Sequence, residues 1–341
     1  MKISIIGASG DVGQEVFKRV IHNNIADCIV LFYHTLLGKH KLIGMLSDEL
    51  IGIAEKNVII SDNPESISDS KIIILCAGKA VSRDVDSIPV SGILNKNNRN
   101  SLYEENQKLI LNYIEGIKSY ASESLIILVT NPVTKLLHDI AAIYPELLIV
   151  GCGVTNDTLR LRNEVRINYP TIQVDNLFVI GEHDLNTQCV ALSYFNKHSN
   201  FSFTRDLFEY EFSSEEEKRK RISELKNKQN ADIATNNIRI DNYDNLPLLY
   251  RSYFKHRMAH FLYKTHISTA SAVMEIIEAF ISESRTVCSE ISVKECVFGQ
   301  SCVIGLPIRF VEGNIVIEYS DFDRYEQEIL RLCTIDKEVI S

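Results

Sequence analysis

The 341-residue sequence lacks several features that would assign it to a specialised class of protein. No apolar run approaches the roughly 20 residues of a membrane-spanning helix. The N-terminal segment MKISIIGASG has no charged region followed by an apolar core of signal-peptide length. The net charge is −9, and no dedicated basic region accompanies it. We therefore expect a protein that binds neither membranes nor nucleic acids.

A disulfide framework is also missing. The eight cysteines form no CxxC pair, and several lie inside apolar runs, such as the one that ends at Cys76. Dispersed cysteines of this kind are typical of small buried side chains in a reducing compartment. This usage predicts a cytoplasmic protein.

The chain opens with an apolar β-branched run, a glycine turn and a helical pattern. In this context the turn predicts a dinucleotide site. Gly7 permits a tight turn, Gly10 lets the backbone approach a pyrophosphate, and Gly13 lets the helix sit close to the sheet. The first helical residues, Asp11 and Val12, belong to an N-terminus that offers N–H groups to phosphates.

The second predicted strand, residues 28–32, ends at Tyr33. NAD-binding folds usually carry an acidic residue there, which holds the adenosine ribose. Lys39, His40 and Lys41 follow, and they would tolerate a 2′-phosphate, although a solvated basic loop explains them as well. NAD and NADP are therefore both candidate cofactors, with NAD preferred.

Further apolar runs, with a helix among them, predict a parallel sheet. These strands and the helix are placed at 57–60, 71–76, 125–129 and 102–121. Ala77 and Gly78 follow one strand, and another strand ends at Val129 and is followed by Thr130 and Asn131. Open α/β sheets bind ligands at the carboxyl ends of their strands, so we expect these residues to line the cofactor site.

The pattern changes after Gly151 and predicts a second, α+β domain. Helices are expected at 156–169, at 213–229 with Ser213 or Ser214 as N-cap, over most of 246–280, and from Asp323 onward. Strands are expected at 177–180, 187–194, 295–298, 301–304 and 315–317. The predicted organisation is an α/β chain with a Rossmann parallel-sheet domain at 1–152 and an α+β substrate domain at 153–341.

Three residues in the second half can form a proton-transfer site. Asp157 and Arg160 are three apart and share one face of the predicted helix, while His183 follows the apolar run 176–180. A histidine, a carboxylate and an arginine brought together can move a proton while holding an anion. A long polar loop, residues 79–98, is predicted to be either a lid or a disordered segment.

Seven motifs together resemble the lactate/malate dehydrogenase family, in order and approximate spacing and over essentially the whole chain. They are IGASGDVG (6–13), KLIGMLSD (41–48), RNSLYEEN (99–106), VTNPV (129–133), GVTNDTLRLR (153–162), IGEHD (180–184) and VIGLPI (303–308). The opening motif looks most like malate dehydrogenases of the clade that includes archaeal enzymes. The resemblance implies an NAD(P)-dependent dehydrogenase of a small L-2-hydroxy acid, of malate or lactate type, that forms a homodimer or homotetramer and needs no metal.

The resemblance also implies roles for individual residues. His183 would be the catalytic proton donor and acceptor, oriented by Asp157, and Arg99 would polarise the substrate carbonyl from the lid. Arg160 would grip the substrate carboxylate through two parallel hydrogen bonds. The remaining substrate-site and cofactor-site matches are Asn131, Thr265 and Asn106.

The chain departs from the family pattern in ways that leave the substrate open. Asp184 follows His183 where the family has glycine. The lid does not align with the family, and Ile93 occupies the position of the arginine that selects malate, which Arg83 or Lys96 could replace. An apolar residue there favours lactate or a bulkier side chain, whereas a cation favours a dicarboxylate.

Two other functions remain open. The first is a dinucleotide-binding relative without catalytic activity. The second is a relative of the NAD- and metal-dependent glycosidases, for which Cys152 and His183 are the only candidate metal pair.

Overall fold

The computed structural model describes residues 1–48, 57–79, 96–235, 237, 239–262, 266–293 and 302–335, with the helical backbone alone at 96–101, 260–262 and 334–335. The strands in these residues are β1 Lys2–Ile6, β2 Cys28–Phe32, β3 Asn57–Ser61, β4 Ile72–Leu75, β5 Leu125–Leu128, β6 Ile149–Gly151, β7 Val179–Gly181, β8 Gln188–Val190, β9 Val287–Val293, β10 Cys302–Val311 and β11 Asn314–Ile317. The helices are α1 Asp11–His22, α2 Leu36–Asp48, α3 Lys96–Tyr120, α4 Val133–Ile143, α5 Gly153–Asn168, α6 Leu192–His198, α7 Glu215–Ala234, α8 Leu248–Leu262, α9 His266–Ser282 and α10 Arg324–Ile335.

Strands β1 to β6 form a parallel sheet in the order β3-β2-β1-β4-β5-β6. This is the strand order of a Rossmann fold, and the N-terminal part of the predicted fold class is confirmed. Every residue of β4 and β5 is buried. Continuous apolar runs such as IIIL and LIIL are required here because helices cover both faces of the sheet.

The alternation of side chains along β1 divides its apolar residues between two cores. Ile3 and Ile5 pack with Val16 of α1 on one face, and Ile6 packs with Ile110 of α3 on the other. These two layers fix α1 and α3 on opposite faces, so the glycine turn between β1 and α1 lies at the carboxyl edge of the sheet.

The C-terminal half extends the same sheet with antiparallel strands. β9 joins β6 at the pair Gly151 and Glu290, and the order continues β9-β10-β7-β8, with β11 on β10. The mixture of antiparallel strands and helices agrees with the predicted α+β character. The sheet crosses the predicted division between residues 152 and 153, and that domain boundary stays a prediction.

Most of the predicted elements are present with shifted ends, but one assignment was wrong. The strand predicted at 187–194 is only the three-residue β8, and α6 follows from Leu192. The helix predicted over 246–280 is two helices, α8 and α9. The sequence reading missed α2 and β9, and the strand predicted at 295–298 lies outside the described residues.

The structure bears on membrane-spanning helices and on the state of the cysteines. Within the described ranges, no helix combines the length and the apolar character needed to cross a bilayer. The cysteines at 28, 76, 152, 189, 288, 302 and 333 are free thiols.

Candidate active site

Helix α5 and the end of β7 bring the three predicted proton-transfer residues together. Asp157 and Arg160 lie on the second turn of α5, which starts directly after β6, and His183 lies two residues beyond β7. The His183 Nδ1 atom is 2.7 Å from Asp157 Oδ2, and Arg160 Nη1 donates to Asp157 Oδ1 at 3.0 Å. The Asp157 carboxylate is thus shared by His183 and by Arg160, its i+3 neighbour on the helix.

A fourth side chain, Gln188, completes the environment of Asp157. Its Nε2 atom donates to Asp157 Oδ2 at 2.6 Å. Burial alone would raise the pKa of Asp157, but His183, Arg160 and Gln188 together hold that pKa below its usual value. The carboxylate therefore remains ionised over the neutral pH range. The sequence analysis missed Gln188, because a glutamine at the start of a short strand carries no motif.

His183 is poised to exchange a proton. The negative charge of Asp157 raises the pKa of the imidazole to about 9, against the opposing effect of burial. Because Nδ1 is engaged by the carboxylate, the exchangeable proton of the ring lies at Nε2. The side chain is 36% exposed, and among the described residues no protein group hydrogen-bonds to Nε2. A ligand can therefore reach that nitrogen.

A second buried carboxylate, Glu290 on β9, lies at the start of α5. Its side chain accepts hydrogen bonds from Gly153 N at 2.7 Å, from Val154 N at 3.3 Å and from Thr134 Oγ1 at 3.2 Å. Glu290 is 0% exposed. The sequence analysis missed this residue, which is 137 positions from Gly153, and no local pattern could have placed it there.

The glycine turn after β1 has the close packing that the dinucleotide hypothesis requires. Gly7 has a φ of +88°, and a Cβ atom on it would lie 2.5 Å from Ala77 N. A Cβ atom on Gly13 would lie 2.5 Å from Gly7 O, so α1 can approach the turn only with glycine there. Gly10 precedes the first turn of α1, which contains Asp11 and Val12. The N-terminus of α1 therefore lies beside the ends of β1 and β4, where it can hold a phosphate.

The two loops predicted to line the cofactor site are tied to one another. Thr130 Oγ1, next to Val129, donates to Ala77 O at 2.7 Å. Asn106 is buried, and its side-chain amide donates to Lys79 O at 3.1 Å and to Asn131 O at 2.9 Å, while its Oδ1 accepts from Lys79 N at 2.7 Å. Its side chain is therefore used to hold these loops, which fix the backbone beyond Gly78 and at Asn131.

A cavity of about 200 Å³ lies at the carboxyl end of β2. Its lining includes Tyr33, His34 and Asp62, with Tyr113 of α3 opposite. Tyr33 is buried, and the Lys39 ammonium lies 5.8 Å from the centre of its ring. His40 and Lys41 are exposed on α2. The cavity thus offers aromatic surfaces and a carboxylate, while two of the three basic residues face solvent.

Some predicted site residues lie outside the described residues, and others take a different part in the structure. Thr265 and most of the lid, including Arg83 and Ile93, lie outside the described residues. Arg99 lies in α3 near its N-terminal end, in a segment whose side chains are not described. The Asp184 side chain binds the neighbouring backbone. Its Oδ1 accepts a hydrogen bond from Asn186 N at 2.9 Å and caps the short turn 185–187.

The geometry offers little support for a metal site. Within the described part of the chain, no group of three or more His, Cys, Asp or Glu side chains could hold a metal ion. Burial raises the pKa of the Cys152 thiol well above its usual range, and the charge of Glu290 adds to this effect. A thiol that resists ionisation is a poor metal ligand.

Comparison with known proteins finds relatives of the N-terminal part of the chain and of its fold. Residues 1–146 match the family described as lactate/malate dehydrogenase, NAD binding domain, so the N-terminal half is an NAD-binding domain. The chain is 26% identical over 195 residues to a malate dehydrogenase of Methanothermobacter thermautotrophicus, which is 54% of each chain. It therefore matches about half the length of that curated relative.

Solved structures share the fold over nearly the whole chain. A malate dehydrogenase from Plasmodium falciparum has a TM-score of 0.69 at 15% identity, with 99% of this chain and 96% of that one covered. A lactate dehydrogenase from Eimeria maxima, solved with NADH and oxamate, has a TM-score of 0.69 at 18% identity, covering 99% of this chain and 92% of that one. Residues 1–146 thus match the NAD-binding domain of the lactate/malate dehydrogenase family, and the whole chain shares the fold of these solved structures.

Proposed function

We propose that the protein is an NAD-dependent dehydrogenase of a small L-2-hydroxy acid, of malate or lactate type. The observation that carries the proposal is the shared carboxylate of Asp157, which receives His183 Nδ1 at 2.7 Å and Arg160 Nη1 at 3.0 Å. It couples a proton donor of raised pKa to a guanidinium that can hold an anion.

The residues of the chain fit a bound dinucleotide. Gly10, at the N-terminus of α1, has no side chain to block a ligand. At Gly7 and Gly13 the backbone of the turn is packed too closely for any other residue. These features suit a pyrophosphate, and the cavity beside Tyr33 and Asp62 suits the adenosine end. Asp62 could accept a ribose hydroxyl in place of the missing acidic residue at Tyr33, which favours NAD over NADP. When bound, the nicotinamide supplies a hydride to the substrate carbon or accepts one from it.

In the direction of reduction, His183 would donate its Nε2 proton to the carbonyl oxygen of a 2-oxo acid while the carbonyl carbon gains the hydride. The neutral imidazole would remain hydrogen-bonded to Asp157, which keeps Nδ1 protonated and Nε2 facing the substrate. Arg160 would hold the substrate carboxylate through two parallel N–H···O bonds. In the reverse direction the neutral His183 would accept the hydroxyl proton.

The remaining roles of the proposal follow the family resemblance. Arg99 would polarise the carbonyl, and Asn131 and Thr265 would contact the substrate. The lid would exclude water from the site. We also propose a cytoplasmic homodimer or homotetramer with a division into cofactor and substrate domains near residue 152.

The test is an activity assay with two cofactors and a panel of substrates. Purified protein should oxidise NADH in the presence of pyruvate, oxaloacetate or a longer 2-oxo acid, with NADPH as the alternative cofactor. His183→Asn should abolish this activity, whereas His198→Asn should not, because His198 is an exposed histidine paired with Asp321.

The other outcomes distinguish the competing functions. Binding of NADH without turnover of any 2-oxo acid would overturn the proposal in favour of a non-catalytic dinucleotide-binding protein. Activity that appears only with manganese and a sugar phosphate would assign the chain to the glycosidase group.

A further inference from the structure

We propose that Glu290 is a positioning residue that acts on His183 as a second carboxylate and widens the pH range in which its imidazole stays protonated. The inference rests on the proposed function for its catalytic consequence, but the proximity of the two residues does not depend on it.

Glu290 and His183 both lie next to Gly153. A Cβ atom placed on Gly153 would lie 2.7 Å from Glu290 Oε1 and 3.0 Å from His183 Cγ. Since both atoms are this close to one point, they lie within about 6 Å of each other, the range in which a carboxylate favours the charged form of an imidazole. Gly153 has no side chain, and a Cβ atom at this position would crowd both residues.

Hydrogen-bond donors offset part of the cost of burying the Glu290 carboxylate, whose pKa is raised by burial. Its carboxylate is 0% exposed and accepts hydrogen bonds from the first two N–H groups of α5, at Gly153 and Val154, and from the hydroxyl of Thr134. A helix N-terminus stabilises an anion through its unsatisfied N–H groups and its dipole. Three donors to a carboxylate favour its ionised form.

The charges around the pair come from several elements. Asp157 and Arg160 on α5 face His183, and Glu290 reaches it from β9. Cys152, at the start of α5, and Cys288, on β9, face Glu290, and both are thiols whose pKa is raised by burial. The only cation in this set besides His183 itself is Arg160, whose effect on the imidazole is outweighed by the two carboxylates.

The two residues are linked in their titration. Burial, with a smaller effect of the Asp157 charge, raises the pKa of Glu290 above its usual value, and His183 and the N–H groups of Gly153 and Val154 limit that rise. Asp157 is the larger influence on the imidazole, and Glu290 adds to the rise of its pKa to about 9. Each group thus stabilises the charged form of the other.

The consequence is a bias in the direction of reaction. Reduction of a 2-oxo acid needs the protonated imidazole, which persists to about pH 9. Oxidation of a 2-hydroxy acid needs the neutral imidazole, so its rate should rise only as the pH approaches that value. Without Glu290, the pH at which the protonated and neutral forms of the imidazole are equally populated would move toward neutrality.

The primary test is a titration of the His183 imidazole by ¹⁵N NMR in the full-length protein, with His183→Gln used to assign the signal. Glu290→Gln should lower the midpoint by about one pH unit, because it keeps the size and one acceptor of the side chain but removes the charge. Glu326→Gln is the matched control, because Glu326 is also 0% exposed and accepts from Ser193 N at 2.9 Å, away from His183. An unchanged midpoint in Glu290→Gln would overturn the inference and leave Glu290 as a structural anchor of α5.

A reciprocal measurement holds even if Glu290→Gln does not fold. In the His183→Gln protein, the carboxyl ¹³C signal of Glu290 should titrate at higher pH than in the wild type, because the imidazolium that lowers its pKa is gone. An equal midpoint in both proteins would also refute the coupling. Neither readout needs catalysis, so an inactive protein with coupled titrations would refute the proposed dehydrogenase and retain the inference.

Discussion

Replacing Asp157 with asparagine separates the roles of the charge and of the shape at this position. Three donors converge on the carboxylate, with His183 and Gln188 on Oδ2 and Arg160 on Oδ1. An asparagine has one oxygen and one NH₂ group, so in either orientation its NH₂ would face a donor. An unsatisfied buried donor costs about 1–3 kcal/mol. We expect the variant to fold with the free energy of unfolding lowered by about that amount.

The effect on activity should be larger than the effect on stability. With its largest influence removed, the pKa of His183 should fall from about 9 toward its ordinary value. At pH 7.5, the protonated fraction is more than about nine-tenths in the wild type, and it would be about one-tenth if the pKa fell fully to about 6.5, a fall that the charge of Glu290 limits. The asparagine would in addition allow the wrong imidazole tautomer, a change that lowers kcat about 10⁴-fold in enzymes with a comparable carboxylate and histidine pair.

The assay is the pH dependence of kcat/KM for reduction of whichever 2-oxo acid the panel identifies. In the wild type, the activity should decline only as the pH passes about 9, and in Asp157→Asn the decline should begin near neutrality. Denaturant unfolding of the same two proteins gives the stability difference. A variant with the wild-type pH profile would show that the Asp157 carboxylate does not set the protonation of His183, and the proposed mechanism would then be wrong.

Three other substitutions test neighbouring contacts. Gln188→Leu removes one donor to Asp157, and we expect kcat/KM to fall about 5- to 10-fold, the loss of one hydrogen bond of about 1 kcal/mol; no change would show that the contact at 2.6 Å is dispensable. Arg160→Lys keeps the charge but not the paired hydrogen bonds, so KM for the 2-oxo acid should rise by about 10²-fold while cofactor binding is retained; an unchanged KM would rule out Arg160 as the carboxylate clamp. His183 has a raised pKa, so its ion pair with Asp157 stabilises the protein fully below about pH 6.5 and is lost as the pH passes about 9. The stability advantage of the wild type over His183→Gln should therefore shrink over this interval in urea unfolding, and a constant difference would contradict the pairing.

Much of the local structure can be predicted from the sequence, because it depends on contacts between near neighbours. The turn after β1 follows from Gly7 and Gly13, and the buried strands β4 and β5 follow from uninterrupted β-branched runs. The spacing of Asp157 and Arg160 places both on one helix face. The strand predicted beyond β8 failed because the apolar side chains of residues 189–195 suit a short strand followed by a buried helix equally well, and tertiary packing decides between them.

What only the tertiary structure decided is the environment of the reacting groups. β9 escaped prediction because two of its buried residues are polar, and Ser289 and Glu290 can be buried only because Gly151 O and Gly153 N are present to meet them. The sequence alone determined the nucleotide-binding turn and the composition of the proton-transfer site, since each depends on residue type and short spacing. The partners Gln188 and Glu290 are brought to Asp157 and His183 by sheet pairing between distant segments, which no local pattern in the sequence specifies.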